Sequence, residues 1–194
     1  MTTVPVNSGR YRFAKYKKII EIMVKFTRLL PKGMRKLLFN HIRNYNGTLG
    51  ILGRYVLIKT LAKSVGDNVA IFPGCYFEHI EGLSIGNNVS IHQMCYIDSE
   101  GGIDIGDDVS IAHRTSILSS NHGYKDKNTP IKYQQMELAK TSIENNCWIG
   151  CGVVILAGVV IGSGCVVGAN STVTKSLPSK VVAYGSPAKV IKER

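Results

Sequence analysis

No run of eighteen apolar residues occurs in the 194-residue chain, so no transmembrane helix is expected. The first ten residues lack the apolar stretch and small-residue cleavage site of a secretory leader, and none is expected. No CxxC pair exists among the five cysteines, at 75, 95, 147, 151 and 165, and their odd number argues against a disulfide framework. A reducing cytoplasm suits them. Neither a Walker A sequence nor a Rossmann glycine fingerprint is present to hold a nucleotide. Acids are nearly missing from one part of the chain: residues 1–63 hold fourteen Lys and Arg against a single Glu21, a formal +13. Residues 64–194 hold ten basic and twelve acidic residues, a formal −2, so the net +11 sits wholly in the first third. A hydrophobic share of 44% excludes a wholly disordered chain.

Beyond residue 64 the sequence is written in repeats. VGDNVAIF from Val65, IGNNVSIH from Ile85 and IGDDVSIA from Ile105 restart every twenty residues; IENNCWIG from Ile143 and IGSGCVVG from Ile161 restart after eighteen. Inside each segment the period is six, and the last block runs unbroken through Ile143, Ile149, Ile155, Ile161, Val167 and Val173. Six is neither the 3.6 of an amphipathic helix nor the 2 of a half-buried strand. It suits a solenoid whose coil has three short flat sides, each giving one large inward residue, with a two-residue bulge at a corner of the longer coils. Gly66, Gly86, Gly106, Gly150, Gly162 and Gly168 follow the large residue, where a corner needs an unhindered backbone. Cys75, Cys95, Cys147 and Cys165 stand two residues before a large position, the slot filled elsewhere by Val89, Val109, Thr115, Val153 and Ser171. They read as small inward hydrophobes, whereas Cys151 is out of phase and falls on the surface of a coil.

Residues 1–64 lack the hexads. Apolar spacing predicts helices over Ile19–Leu30 and Met34–Ile42, separated by Pro31-Lys32-Gly33, with a nearly all-basic polar face. That face suits attraction to an anionic membrane surface or polyanionic substrate, with residues 10–43 in peripheral contact, or else a solvated face on helices capping the solenoid. The chain therefore divides into a basic, mainly helical segment, 1–64, and a repeat domain, 65–194.

The hexads, of the form [ILV]-G-x-x-[small]-x, resemble those of the hexapeptide-repeat acyltransferases, which fold as a left-handed parallel β-helix. Three further features support the resemblance: Asn121-His122 closing the third coil before a non-repeating loop, Gly123–Ser142; Asn146-Cys147-Trp148-Ile149-Gly150 reopening the helix; and Val173-Thr174-Lys175 followed by Gly185-Ser186-Pro187-Ala188-Lys189-Val190-Ile191 in a C-terminal tail. The order is similar to that of the sugar O-acetyltransferase branch, including maltose, galactoside and capsule-modifying enzymes. The resemblance implies a homotrimer with acetyl-CoA as cosubstrate, a carbohydrate acceptor, and active sites between neighbouring chains. It makes His122 the general base, a fitting task for an imidazole that titrates near the working pH. It gives the oxyanion to the backbone N–H of Cys151. A Cys151 nucleophile lacks an adjacent basic residue or helix start to lower its pKa.

The resemblance also places coenzyme A against Trp148, Gly150 and Ala169, with Thr174 and Lys175 near the adenine end and Lys189 and Lys192 meeting phosphates; a solvated face is the plainer account of the lysines. Asn121 and His92 are implied to line the acceptor pocket, His92 as a departure, since relatives carry Asn there. His92 is expected one coil below His122, and His122 at the corner that takes Gly82 and Gly102 in the preceding coils. His113 reads as structural, and His41 and His79 carry no pattern. His92, His113 and His122 raise the thought of zinc, as in the γ-class carbonic anhydrases, but the nine-residue gap from His113 to His122 does not match that site, and no metal is expected. The expectation is a cytoplasmic O-acetyltransferase, with a surface or capsular polysaccharide precursor as acceptor and no nucleic-acid partner. An amino sugar, serine or antibiotic acceptor is an alternative, as is a non-catalytic scaffold.

Overall fold

Each hexad becomes one short strand, and three strands make a coil. The computed structural model describes residues 9–194; residues 1–8, on which most of the leader reading falls, lie outside the described residues. The strands stack in three parallel sheets. Ser64–Val65, Leu83–Ile85, Ile103–Ile105, Thr141–Ile143 and Val160–Ile161 form the first face. Ala70–Ile71, Ser90–Ile91, Ser110–Ile111, Trp148–Ile149, Val166–Val167 and Val181–Gly185 form the second. Tyr76–Glu78, Tyr96–Asp98, Ser116–Leu118, Val154–Ile155 and Thr172–Val173 form the third. The register follows the sequence periods: Val65 pairs with Ile85, Ile85 with Ile105, and Ile143 with Ile161. This is the parallel β-helix expected from the hexads.

The large inward residues of the unbroken block, Ile143 through Val173, are at most 1% exposed, and the four in-phase cysteines are buried beside them. The corner glycines are required by the approach of successive coils: a Cβ on Gly66 would lie 2.6 Å from the carbonyl carbon of Gly86. The left-handed backbone of that corner falls two residues later, on Asn68, Asn88, Asp108 and Asn146, with φ of 55°, 57°, 56° and 58°. Asn and Asp tolerate that region better than other side-chain-bearing residues. Side-chain oxygens of Asn87, Asp107 and Asn145 accept from the backbone N–H of Asp67, Asn87 and Asp107, at 2.8, 2.6 and 2.7 Å, so each coil ties to the next.

The insertion differs from expectation in its splice points. The chain leaves the coil at Ser120, and Ser120–His122 pairs antiparallel with Met136–Leu138, a ribbon that satisfies its own backbone groups. It rejoins at Ala139, whose N–H donates to Ser119 O (2.9 Å), and Thr141 and Ser142 already lie in register with Ile103 and Asp104. Lys140, not His122, therefore stands over Gly102, with Cγ 3.7 Å from where a Cβ would be. Toward the C-terminus the coil continues past Val173: Leu177, Val181 and Ala183 are buried, and Ala188–Glu193 folds back antiparallel on Val181–Gly185.

Among the described residues before 65 there are three helices rather than two: α1 (Gly9–Arg28), α2 (Lys32–Ile42) and α3 (Gly47–Leu61). α1 starts ten residues before the expected helix, and α3 was not expected at all. α3 buries Tyr55, Val56, Leu57, Ile58 and Leu61 in one core with Val69 and Ile71 of the first coil, so it closes the open end of the solenoid. α1 and α2 pack on α3. Lys17 of α1 and Lys59 of α3 both reach Asp67, at 2.6 and 3.0 Å, pinning the helices to the first corner.

Candidate active site

The third face separates the two residues of greatest interest. Cys151 precedes its strand Val154–Ile155, and His122 follows its strand Ser116–Leu118, while Val154 and Ser116 are register partners. Within one chain His122 and Cys151 thus stand at opposite edges of that face. His122 is exposed at the end of the ribbon, opposite Met136, and Asn121 is exposed opposite Glu137. Thr174 and Lys175 follow Thr172–Val173 and are on the His122 edge, in the uppermost coil.

The Cys151 edge gathers most of the others. Gly150 donates its N–H to Val167 O (2.8 Å), and Asn170 N–H donates to Cys151 O (2.8 Å). Ala169 lies between these two contacts. The Cys151 N–H has no acceptor among the described residues, and neither have the amides of Gln93 and His113 at the same corner of lower coils. An amide without an acceptor thus recurs at this corner in three coils, and Cys151 carries it beside Gly150. Trp148 is 55% exposed between Ser110 and Val166 on the second face. Lys189 and Lys192 are exposed on the strand that folds back at the top of that face.

His92 departs from expectation. It follows Ser90–Ile91 on the second face, so it belongs to the Cys151 edge and does not lie beneath His122. The two-residue bulges had hidden this, because coil number was legible but corner identity was not. Its ring stacks on Phe72 with centroids 4.6 Å apart and planes 4° from parallel. Burial, aided by nearby His113, pushes its pKa below the usual imidazole value and so favours the neutral ring.

Two features were invisible in the sequence. Arg194 donates to Gly164 O (2.9 Å) and lines a shallow cleft of about 410 Å³ with Trp148. His79, which carried no pattern, donates from Nδ1 to Asp98 Oδ1 (2.9 Å), while Ser120 Oγ donates to Asp98 Oδ2 (2.9 Å) at the root of the ribbon bearing His122. His79, Asp98 and Glu100 bring ligand atoms within 4.8 Å of one another. Asp98 and Glu100 share one segment, and coil stacking brings His79, from the coil below, against it. His92, His113 and His122 form no such cluster among the described residues.

Comparison with known proteins matches the same regions. Residues 140–175 fit the model described as bacterial transferase hexapeptide (six repeats). The galactoside O-acetyltransferase of Escherichia coli (strain K12) is 37% identical over 145 residues, covering 72% of this chain and 68% of that protein. The galactoside O-acetyltransferase of Lactococcus lactis subsp. lactis (strain IL1403) is 41% identical over 51 residues, 26% of this chain and a quarter (25%) of that protein. Among solved structures, a galactoside acetyltransferase in complex with coenzyme A superposes with TM-score 0.75 at 34% identity, over 88% of this chain and 82% of that one. A maltose O-acetyltransferase from Clostridium difficile 630 gives TM-score 0.74 at 28% identity, over 89% of this chain and 88% of that one. With its hexads folded into three faces and a relative matched over two thirds of its length, the chain belongs to the hexapeptide-repeat acetyltransferases.

Proposed function

We propose that the protein transfers the acetyl group of acetyl-CoA to a carbohydrate hydroxyl, in a site shared between neighbouring chains of a homotrimer. The observation that carries this reading is the placement of an exposed imidazole, His122, and a free amide, Cys151 N–H, at opposite edges of one face. Threefold packing of a three-sided solenoid lays one chain's third corner, where the chain leaves the third face at His122, beside the next chain's second corner, between its second and third faces at Cys151. His122 from one chain then meets Cys151, Gly150, Ala169 and His92 of its neighbour.

In that cleft His122 removes the proton from the acceptor hydroxyl as its oxygen attacks the thioester carbonyl. The Cys151 N–H stabilises the oxyanion of the tetrahedral intermediate. Collapse breaks the C–S bond, and the imidazolium returns the proton to the departing thiolate, giving the acetyl ester and free coenzyme A. Trp148, Gly150, Ala169, Thr174 and Lys175 hold the donor, with Lys189 and Lys192 on its phosphates; His92 and Asn121 orient the acceptor. The relatives that act on galactosides and maltose support a sugar acceptor, and the excess of basic charge at the N-terminus supports one found near an anionic surface, such as a surface-polysaccharide precursor in the cytoplasm. Thiol release from acetyl-CoA should appear with sugar or glycan acceptors and vanish in His122→Ala. Release with serine or an amino sugar alone would move the acceptor class.

A further inference from the structure

α1 carries two apolar stripes, and only one is used by the fold. Phe13, Ile20 and Val24 face α3 and the core. Ile19, Ile22 and Phe26, with Leu29 just past the last turn, follow three- and four-residue spacing on the outer side and remain 57%, 52%, 68% and 79% exposed. Leu37 on α2, at 69% exposed, extends the same apolar character across the helical end. Four such side chains within eleven residues are costly to leave in water, and scattered single exposures do not explain them.

The charges sort with the stripes. Cations on the protein side are spent inward: Arg10 bonds Asp108 and Lys17 bonds Asp67, at 2.8 and 2.6 Å. Lys15, Lys18 and Lys25, interleaved with Ile19, Ile22 and Phe26, make no ion pair among the described residues. The only acid in α1 is Glu21. An apolar stripe rimmed by unpaired lysines is the pattern of a helix lying in the headgroup plane of an anionic bilayer, with ammonium groups at the phosphate level and aliphatic stems below. Beside it, an apolar groove of about 380 Å³ between α1 and α3, lined by Tyr16, Ile19, Met23, Ile51 and Leu52, opens next to the stripe.

We infer that α1 docks the protein on an anionic lipid surface, inserting Ile22, Phe26 and Leu29 while Lys15, Lys18 and Lys25 meet lipid phosphates. This deepens the surface-proximal reading above, and its readout is independent of acetyl transfer. The full-length protein should co-float with vesicles of phosphatidylcholine and phosphatidylglycerol, bind phosphatidylcholine alone at least tenfold more weakly, and be largely released at high salt. Ile22→Asp with Phe26→Asp should lower vesicle binding at least tenfold without changing circular dichroism or sedimentation; the charge reversal Lys15→Glu, Lys18→Glu, Lys25→Glu should abolish the preference for anionic lipid. His122→Ala should bind vesicles like the native protein, so loss of catalysis and loss of docking separate. Absence of binding to anionic vesicles would overturn the inference. So would full binding by the aspartate variant, or a changed oligomeric state in it, which would mean that a second copy covers the stripe. Retention on a soluble polyanionic glycan without vesicle binding would reassign the lysines to a glycan and equally overturn it.

Discussion

Gly150 lies directly against the coil above it: a Cβ there would stand 2.6 Å from the backbone nitrogen of Ala169 and 2.8 Å from Val167 O. Both neighbours are backbone atoms locked in the parallel ladder, so neither can swing aside. Gly150→Ala must push two coils apart next to the free Cys151 amide. We expect a loss of about 1–3 kcal/mol of stability, read as a lower melting temperature, together with a raised KM for acetyl-CoA. A variant with native melting temperature and donor KM would mean that the coils separate easily here.

Arg54 is fully buried and has no acidic partner among the described residues. Its guanidinium instead collects carbonyls: Nε donates to Ile71 O (2.9 Å), and Nη1 to Ile42 O (3.0 Å) and Tyr45 O (2.7 Å). It thereby closes the C-terminal end of α2 and ties α3 to the first coil. Burial lowers its pKa, yet an arginine stays charged. Arg54→Met keeps the volume but strands the carbonyls, and should cost ~2–4 kcal/mol in a denaturant titration. The hydrophobic isostere would match the native protein only if water reached those oxygens.

How much of this was legible in the sequence follows from the range of each signal. Hexads are local, so the inward isoleucines and the cysteine slots could be counted off directly. α3 could not: GTLGILGRYVLIKTL has apolar residues on all sides because it is buried on most of them, which removes the one-sided period that betrays a surface helix. The basic first half of α1 hid its start for the opposite reason, since its lysines and arginines leave few apolar positions to count. The His122 corner was misread because spacing cannot show where an insertion rejoins; the ribbon pairing Ser120 with Leu138 decides that. Asp98 meeting His79 and Ser120 depends on stacking across three coils.

That Asp98 pair makes a pH prediction. The hydrogen bond to Asp98 raises the pKa of His79. Burial works against the Asp98 carboxylate, but hydrogen bonds from His79 and Ser120 bring its pKa below the usual value. Stability from His79 is full below its unfolded pKa of about 6.5 and is lost as pH rises through the folded value. Stability from Asp98 is present above about 3.9 and is lost as pH falls through its folded value. The pair is therefore strongest between about pH 4 and 6.5, and the ribbon should loosen on the alkaline side. Asp98→Asn should bring the His79 titration, followed by NMR, down toward about 6.5. An unchanged His79 titration would show that the contact does not persist in solution.

His122→Ala should lower kcat by roughly 10²–10⁴ while leaving the fold intact, since the side chain is exposed. Cys151→Ala should keep activity within a few fold, because the role proposed for this residue belongs to its amide and not to its thiol. The separation of these residues across the third face permits a sharper experiment. On the proposed homotrimer, Cys151→Trp fills the second corner with a bulky ring and His122→Ala empties the third, so each variant alone should be nearly inactive. In a mixed trimer, a Cys151→Trp chain still offers a native His122, and a His122→Ala neighbour still offers a native second corner. Random co-assembly of equal amounts should therefore restore about a quarter of the native sites. A tight donor analogue would count the roughly one half of sites with a native Cys151 corner, and thiol release, set against the native trimer, would report the active quarter. If one chain held both residues of a site, no mixture would exceed its parents, and the shared cleft would have to be abandoned.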